Sequence, residues 1–295
     1  MTALEKSLAY LSSEAAMESV RRDPYWPKWD SPWWHLCLLW EMGEIRRAPS
    51  ELVDLLVERI NEHYLRVFPL RAEDVPPGTD PYRDIACHCQ LGVGYQFLHA
   101  YGVDVDKRIP WLRPWFLRYQ LPDGGLNCDN DSCAKPNPKS SVVSTLPPAE
   151  AILFCTSEFT EREVEFLSRA VEYLVNRSLF LSSDGEVIDA DWLKLCFPRF
   201  YEYDVLRGLR FVEAFAERFG VELPEELLGP ARAVVEEHRV GDLLAPTRLA
   251  FAGAKSYRFD GLWKWGDEAS VFPLLEEVSK LGVPCPHLMH SSTTT

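Results

Sequence analysis

In PYRDIACHCQ, residues 81–90, a carboxylate, a thiol and an imidazole recur at the spacing of one helical turn. Asp84, Cys87 and His88 stand at i, i+3 and i+4, which puts them on neighbouring helix surface while Cys89 points elsewhere. Asp, Cys and His together are a ligand set suited to zinc. Asp84 and His88 are also the groups here with catalytic chemistry. Two further cysteines, Cys128 and Cys133, stand in GGLNCDNDSC, residues 124–133. Brought to the same face, they would join Asp84, Cys87 and His88 in one metal or reactive-thiol centre, because a helix N-terminus and a bound cation both favour thiolates. The alternative is a buried Cys87 serving as a small hydrophobe, with the second stretch a surface turn.

Other segments carry carboxylates, aromatics and hydroxyls. KWDSPWWH holds Trp33, Trp34 and His35, NPKSSVVST holds Ser141, and LWKWGDEAS holds Trp265. In CFPRFYEYDVLRGL, Pro198 fits a first helical turn, and Arg199, Tyr203 and Arg207 then share one strip beside the Phe200 and Asp204 pair. Arg199 or Tyr203 is expected to meet an anionic or polar ligand group, with Tyr201 nearby. Aromatics at such positions either line a cavity, where they can stabilise cations, or fill a core. Ser141 is either an inward-pointing donor or a cap. Asp84, Asp204 and Asp267 could converge as the paired acids of a glycan-processing enzyme.

Composition removes several classes. With 295 residues, 46% of them hydrophobic, the chain can bury a large core. A net charge of −14 without a basic cluster argues against nucleic acid, whose binding draws on clustered Lys and Arg. Residues 1–23 read as one amphipathic helix rather than a signal peptide, and no apolar run reaches membrane-spanning length. Eight irregularly spaced cysteines are no disulfide framework, and a cytoplasmic protein is expected. No phosphate loop, nucleotide fingerprint or Gly-x-Ser-x-Gly elbow occurs.

The elements that must position these groups are helices. Apolar stretches end at Gly43, Gly102, Gly220 and Gly282, spaced 59, 118 and 62 residues apart, with a glycine-free copy, PPAEAILFCTSEF, filling the double interval. Glycine past the last apolar position supplies the left-handed stop of a helix. Between them lie one-sided helices: SELVDLLVERINEHYL, PEELLGPARAVVEEHR, and TEREVEFLSRAVEYLVNR with a capping box from Thr160 to Glu163. A helix apolar all round must be surrounded, so outer amphipathic and inner buried helices alternate, about ten in all. An all-α fold spanning residues 1–290 as one domain is expected, with residues 291–295 a frayed tail. Helix content should far exceed the average, with hardly any sheet.

Turns at Asp123-Gly124, Asp184-Gly185 and Asp260-Gly261 precede inner helices. YQLPDGG and FDGLWKW resemble the Gln-x-x-Asp-Gly-Gly and Asp-Gly-x-Trp signatures of the prenyltransferase β-subunit and squalene (terpenoid) cyclase group, although Leu126 and Asn127 stand where an aromatic usually closes the first. The resemblance implies an α/α toroid of about five outer–inner hairpins around a central cavity, with function where the inner-helix N-termini gather. It implies a small hydrophobic or isoprenoid-type ligand, a transferase or cyclase reaction, and a protein partner subunit. Protein prenyltransferases hold a catalytic zinc with an Asp, Cys and His trio, on other segments and in another order than Asp84, Cys87 and His88. The cyclases protonate alkenes with Asp-x-Asp-Asp, of which VIDADW offers Asp189 and Asp191 before Trp192 breaks the pattern. A glycan hydrolase and a non-catalytic scaffold are the alternatives.

Overall fold

The computed structural model describes residues 3–26, 31–62, 88–129, 135–240 and 243–248. Asp84, Cys87, Cys133, Trp265 and Asp267 lie outside the described residues, as do the turn at 260–261, the stretch ending at Gly282 and the tail 291–295. The described chain is helical: α1 (Ala3–Leu11), α2 (Glu14–Arg22), α3 (Pro32–Glu41), α4 (Ser50–Glu62), α5 (His88–Tyr101), α6 (Val105–Arg108), α7 (Leu112–Arg118), α8 (Val142–Cys155), α9 (Glu161–Val175), α10 (Val205–Phe219) and α11 (Glu225–Glu236). The described sheet is one two-residue ladder, β1 (Arg239–Val240) against β2 (Leu243–Leu244). This is the expected all-α class. No helix among the described residues is long and apolar enough to cross a membrane.

Two compact units divide the chain, one drawing its described residues from Met1–Cys87 and Phe97–Pro110, the other from His88–Gln96 and Trp111–Ala250. In the first, every residue of α3 is buried, and the helix is surrounded by α1 and α2. Trp33 meets Phe97 edge to face at 4.9 Å. Gly43 then turns with φ +76°, and the Glu44 N–H returns to the Leu39 carbonyl at 2.7 Å, the left-handed stop expected there. α4 lays Leu52, Val53, Leu56, Val57 and Ile60 inward and packs on α2. The expected single helix over 1–23 is two helices. Ser13 breaks it, accepting the Ala16 N–H and donating to the Tyr10 carbonyl at 2.7 Å, so it caps a new helix instead of continuing the old one.

In the second unit, α8 is the enclosed helix, with α9 and α10 against it. α9 begins at the expected capping box, Thr160 and Glu163 each satisfying the other's backbone N–H. Gly92 in α5 meets α8 so closely that a Cβ would stand 2.4 Å from the Pro147 carbonyl carbon, which only a residue without a side chain allows. α10 departs from the expected inner type. Arg210 and Glu213 are partly exposed and Glu217 and Arg218 exposed, so it buries one face, with α11 packed on it. Residues 198–203 are also not helical, contrary to the first-turn reading of Pro198. Phe200 has φ +53°, and the helix starts only at Val205, where Asp204 supplies the cap.

Candidate functional site

The Gln-x-x-Asp-Gly-Gly segment is a corner that fixes two helices. Gln120 Nε2 donates to the carbonyls of Gly124 and Phe166, both at 2.8 Å, and Gln120 Oε1 accepts from Arg169 at 3.1 Å. Arg169 Nη2 also donates to the carbonyls of Leu121 and Pro122. Asp123 accepts both the backbone N–H and the hydroxyl of Ser140, and Tyr173 donates to the Ser140 carbonyl at 2.9 Å. One amide and one carboxylate therefore tie the turn to α9 and to the approach to α8. Gly124 at φ +98° has the Arg169 carbonyl 2.4 Å from where a Cβ would be, so both conformation and space demand glycine. Gln120→Ala strips donors from two carbonyls at once; urea unfolding should report a loss of about 1–3 kcal/mol. A variant as stable as the parent would make the corner an incidental turn.

That corner sets the chain on course to the start of α8. Thr145 Oγ1 accepts the Leu126 N–H at 2.8 Å and donates to the Ser141 carbonyl, while the Cys128 N–H donates to Ser144 Oγ at 3.1 Å. Cys128 is thereby held against the first turn of α5. The Cys89 N–H donates to Cys128 Sγ at 3.4 Å, the two Sγ atoms are 3.7 Å apart, and Gln90 Nε2 approaches Cys89 Sγ at 3.8 Å. His88 is buried beside them. Burial lowers its pKa, a shift opposed by the electrostatic effect of the Cys128 side chain. Two buried polar atoms here, His88 Nδ1 and Gln90 Oε1, have no hydrogen-bond partner among the described residues.

Of the expected centre, the described residues include His88 and Cys128, and the contact that Cys128 makes is with Cys89. The i, i+3, i+4 rule compares side chains of one helix only, whereas Cys128 reaches Cys89 from a segment 39 residues away. Cys89, Gln90 and Ser144 were missed for that reason. Among the described residues no group of three or more His, Cys, Asp or Glu side chains gathers as metal ligands.

The remaining site residues fall into distinct surroundings. Trp33, Trp34 and His35 are buried in α3, with His35 Nδ1 2.7 Å from Ser7 Oγ and the imidazole stacked at a tilt on Tyr10. Burial pushes the His35 pKa down to about 4. Ser141 precedes α8 without a side-chain cap bond, so the capping alternative does not apply to its hydroxyl. Tyr203 is buried and donates to the Leu179 carbonyl at 2.7 Å; burial raises its pKa well above the ordinary value. Both oxygens of Asp204 accept backbone N–H groups, from Arg207 and from Cys196, each at 2.8 Å. Its carboxylate is a buried cap. Arg199 is buried where its charge acts on Glu150, and Tyr201 is half-buried.

Glu150 and Arg207 form a buried pair that sequence spacing did not indicate. Arg207 Nε lies 3.0 and 3.1 Å from the two Glu150 oxygens and Nη2 2.6 Å from Oε2, while Nη1 donates to the Glu202 and Phe200 carbonyls. Burial pushes the Glu150 carboxyl up, but Arg207, aided by Arg199 and Arg210, outweighs it and holds the group below the usual range.

A surface cleft of about 710 Å³ lies on the same unit, between the corner and residues 182–192. Ser140, Ser141, Tyr173, Arg177 and Trp192 are among its walls, and the Arg177 guanidinium sits 4.0 Å over the Tyr173 ring. Comparison of the chain with protein-family models, with curated proteins and with solved structures returns no match.

Proposed function

We propose that the chain is a prenyltransferase- or terpenoid-cyclase-like protein of the cytoplasm that binds a small hydrophobic, isoprenoid-type ligand at the N-termini of its inner helices. The architecture belonging to that reading is an α/α toroid of outer–inner hairpins around a central cavity, with a partner subunit. The observation that supports it best is the buried pair His88 Nδ1 and Gln90 Oε1, in α5 beside two thiols, which has no hydrogen-bond partner among the described residues. Buried polar atoms are ordinarily satisfied, and a ligand's polar head group would satisfy these two. The interlocked Gln120 to Gly125 corner adds support, since it gives the signature residues a definite task beside α8.

Zinc enters as a proposal only through ligands outside the described residues. His88, Cys89 and Cys128 alone do not close a coordination shell, and no step is derived through a metal. The glycan-processing alternative loses Asp204 to its cap and would draw on Asp84 and Asp267.

The test uses farnesol, farnesyl diphosphate and maltopentaose as probes, with tryptophan fluorescence as the signal. Saturable binding of a farnesyl probe, weakened about tenfold or more by His88→Ala or Gln90→Ala, is expected. Binding of maltopentaose alone, or of none of the three, would overturn the reading. Elemental analysis of the purified protein reports zinc independently: one per chain, lost on Asp84→Ala, Cys87→Ala or Cys133→Ala, would make those residues ligands.

A further inference from the structure

We propose that Cys89 and Cys128 are a reversible redox couple, open in the reduced protein and closed to a disulfide by a low-molecular-weight disulfide oxidant. Their Sγ atoms, 3.7 Å apart, are in van der Waals contact but well beyond the roughly 2.05 Å of a disulfide bond. Closure therefore asks the two sulfurs to approach by less than about 2 Å. Cys89 is fixed on α5, whereas Cys128 lies in a non-helical segment and is the more exposed of the two. The two thiols are 39 residues apart in sequence, so their contact is made by the fold and not by local chain geometry.

Exposure and hydrogen bonding assign the roles. Cys128 Sγ, which receives the Cys89 N–H, meets the oxidant first. As a thiolate it attacks one sulfur of a small disulfide R–S–S–R, forming Cys128–S–S–R and releasing RS⁻. Cys89, its proton passed to solvent or the released RS⁻, attacks Cys128 Sγ; the Sγ–S bond of the mixed disulfide breaks and a second RS⁻ leaves. Two thiols have lost two protons and two electrons, and one small disulfide has become two small thiols. The product ties the start of α5 to the segment leading into α8, beside His88 and Gln90. The couple depends only on the two thiols, so it stands whether or not an isoprenoid-type ligand binds there.

The experiment incubates the full chain with oxidised glutathione, then unfolds it in an alkylating mass tag and counts thiols. Eight tagged cysteines should fall to six and return to eight after dithiothreitol. Peptide fragmentation should place the link between Cys89 and Cys128, distinguishing Cys89 from Cys87 and Cys128 from Cys133 within their shared peptides. Cys87→Ser and Cys133→Ser should keep the link, and Cys89→Ser should lose it. Eight thiols persisting under oxidant, or a link mapped to any other pair in the wild-type chain, would overturn the proposal even if a variant failed to fold.

Discussion

Arg207→Met is expected to destabilise the protein by about 3–5 kcal/mol, because it strands a buried carboxylate. Glu150 is 4% exposed at its side chain and Arg207 2%, so water cannot replace the lost guanidinium. Arg207 directs Nε and Nη2 to Glu150 and Nη1 to the carbonyls of Phe200 and Glu202. Removal therefore leaves a charge and two carbonyls short at once. Gln96 reaches Glu150 Oε2 only at 3.4 Å, too weakly to compensate. The double variant Glu150→Leu with Arg207→Met removes the stranded charge as well. It should lose less than Arg207→Met alone, the sign of coupling in a double-mutant cycle. Urea midpoints measure both. A single variant within about 1 kcal/mol of the parent, or a double variant that loses the sum of the two singles, would show that the pair is no energetic unit.

This pair also explains why residues 196–204 resist being read from sequence. Arg199, Tyr203 and Arg207 fall on a helical strip, and nothing in CFPRFYEYD forbids a helix by composition. The chain instead folds around Arg207, presenting two carbonyls to Nη1 while Asp204 spans the Cys196 and Arg207 N–H groups. The competing structure is built from a partner 57 residues away, Glu150, which a local window does not contain. Signals that are local were legible: the Thr160 and Glu163 capping box, the left-handed stops at Gly43, Gly102 and Gly220, and the Asp-Gly turns at Gly124 and Gly185. The apolar stripe of α4 and the all-round burial of α3 followed from periodicity.

The site was legible in part. His88 and Cys128 were both candidate ligands by residue type, and the fold places Cys128 against Cys89, next to His88 in the chain. Cys89 was not legible as a neighbour of Cys128. Spacing compares it only with residues on its own helix, whereas its neighbour arrives through Ser144, Thr145 and the Gln120 corner. The same corner shows why spacing alone undervalued Gln120: its amide works on backbone groups 4 and 46 residues away, and neither carbonyl leaves a side-chain pattern in sequence.

Acid should weaken the protein well before its carboxylates titrate, through His35. Burial lowers the folded pKa to about 4 from the ordinary 6.5. Between those values the unfolded chain binds a proton that the folded chain refuses, so stability falls as the pH falls. It is fully present above pH 6.5 and lost by the time pH passes about 4. The slope approaches about 1.4 kcal/mol per pH unit, on the order of 3 kcal/mol across the window. His88, also lowered by burial, adds a loss of the same sign. Glu150, held below its usual value, adds its own only at lower pH, below the carboxylate's unfolded pKa. His35→Gln keeps a polar group opposite Ser7 Oγ and removes the titration, so its absolute stability can change while the slope between pH 6.5 and 4 must shrink. Urea unfolding at half-unit pH steps, followed by tryptophan fluorescence, measures that slope. Parallel pH profiles for the variant and the parent would mean that His35 takes up its proton without unfolding the helices around it.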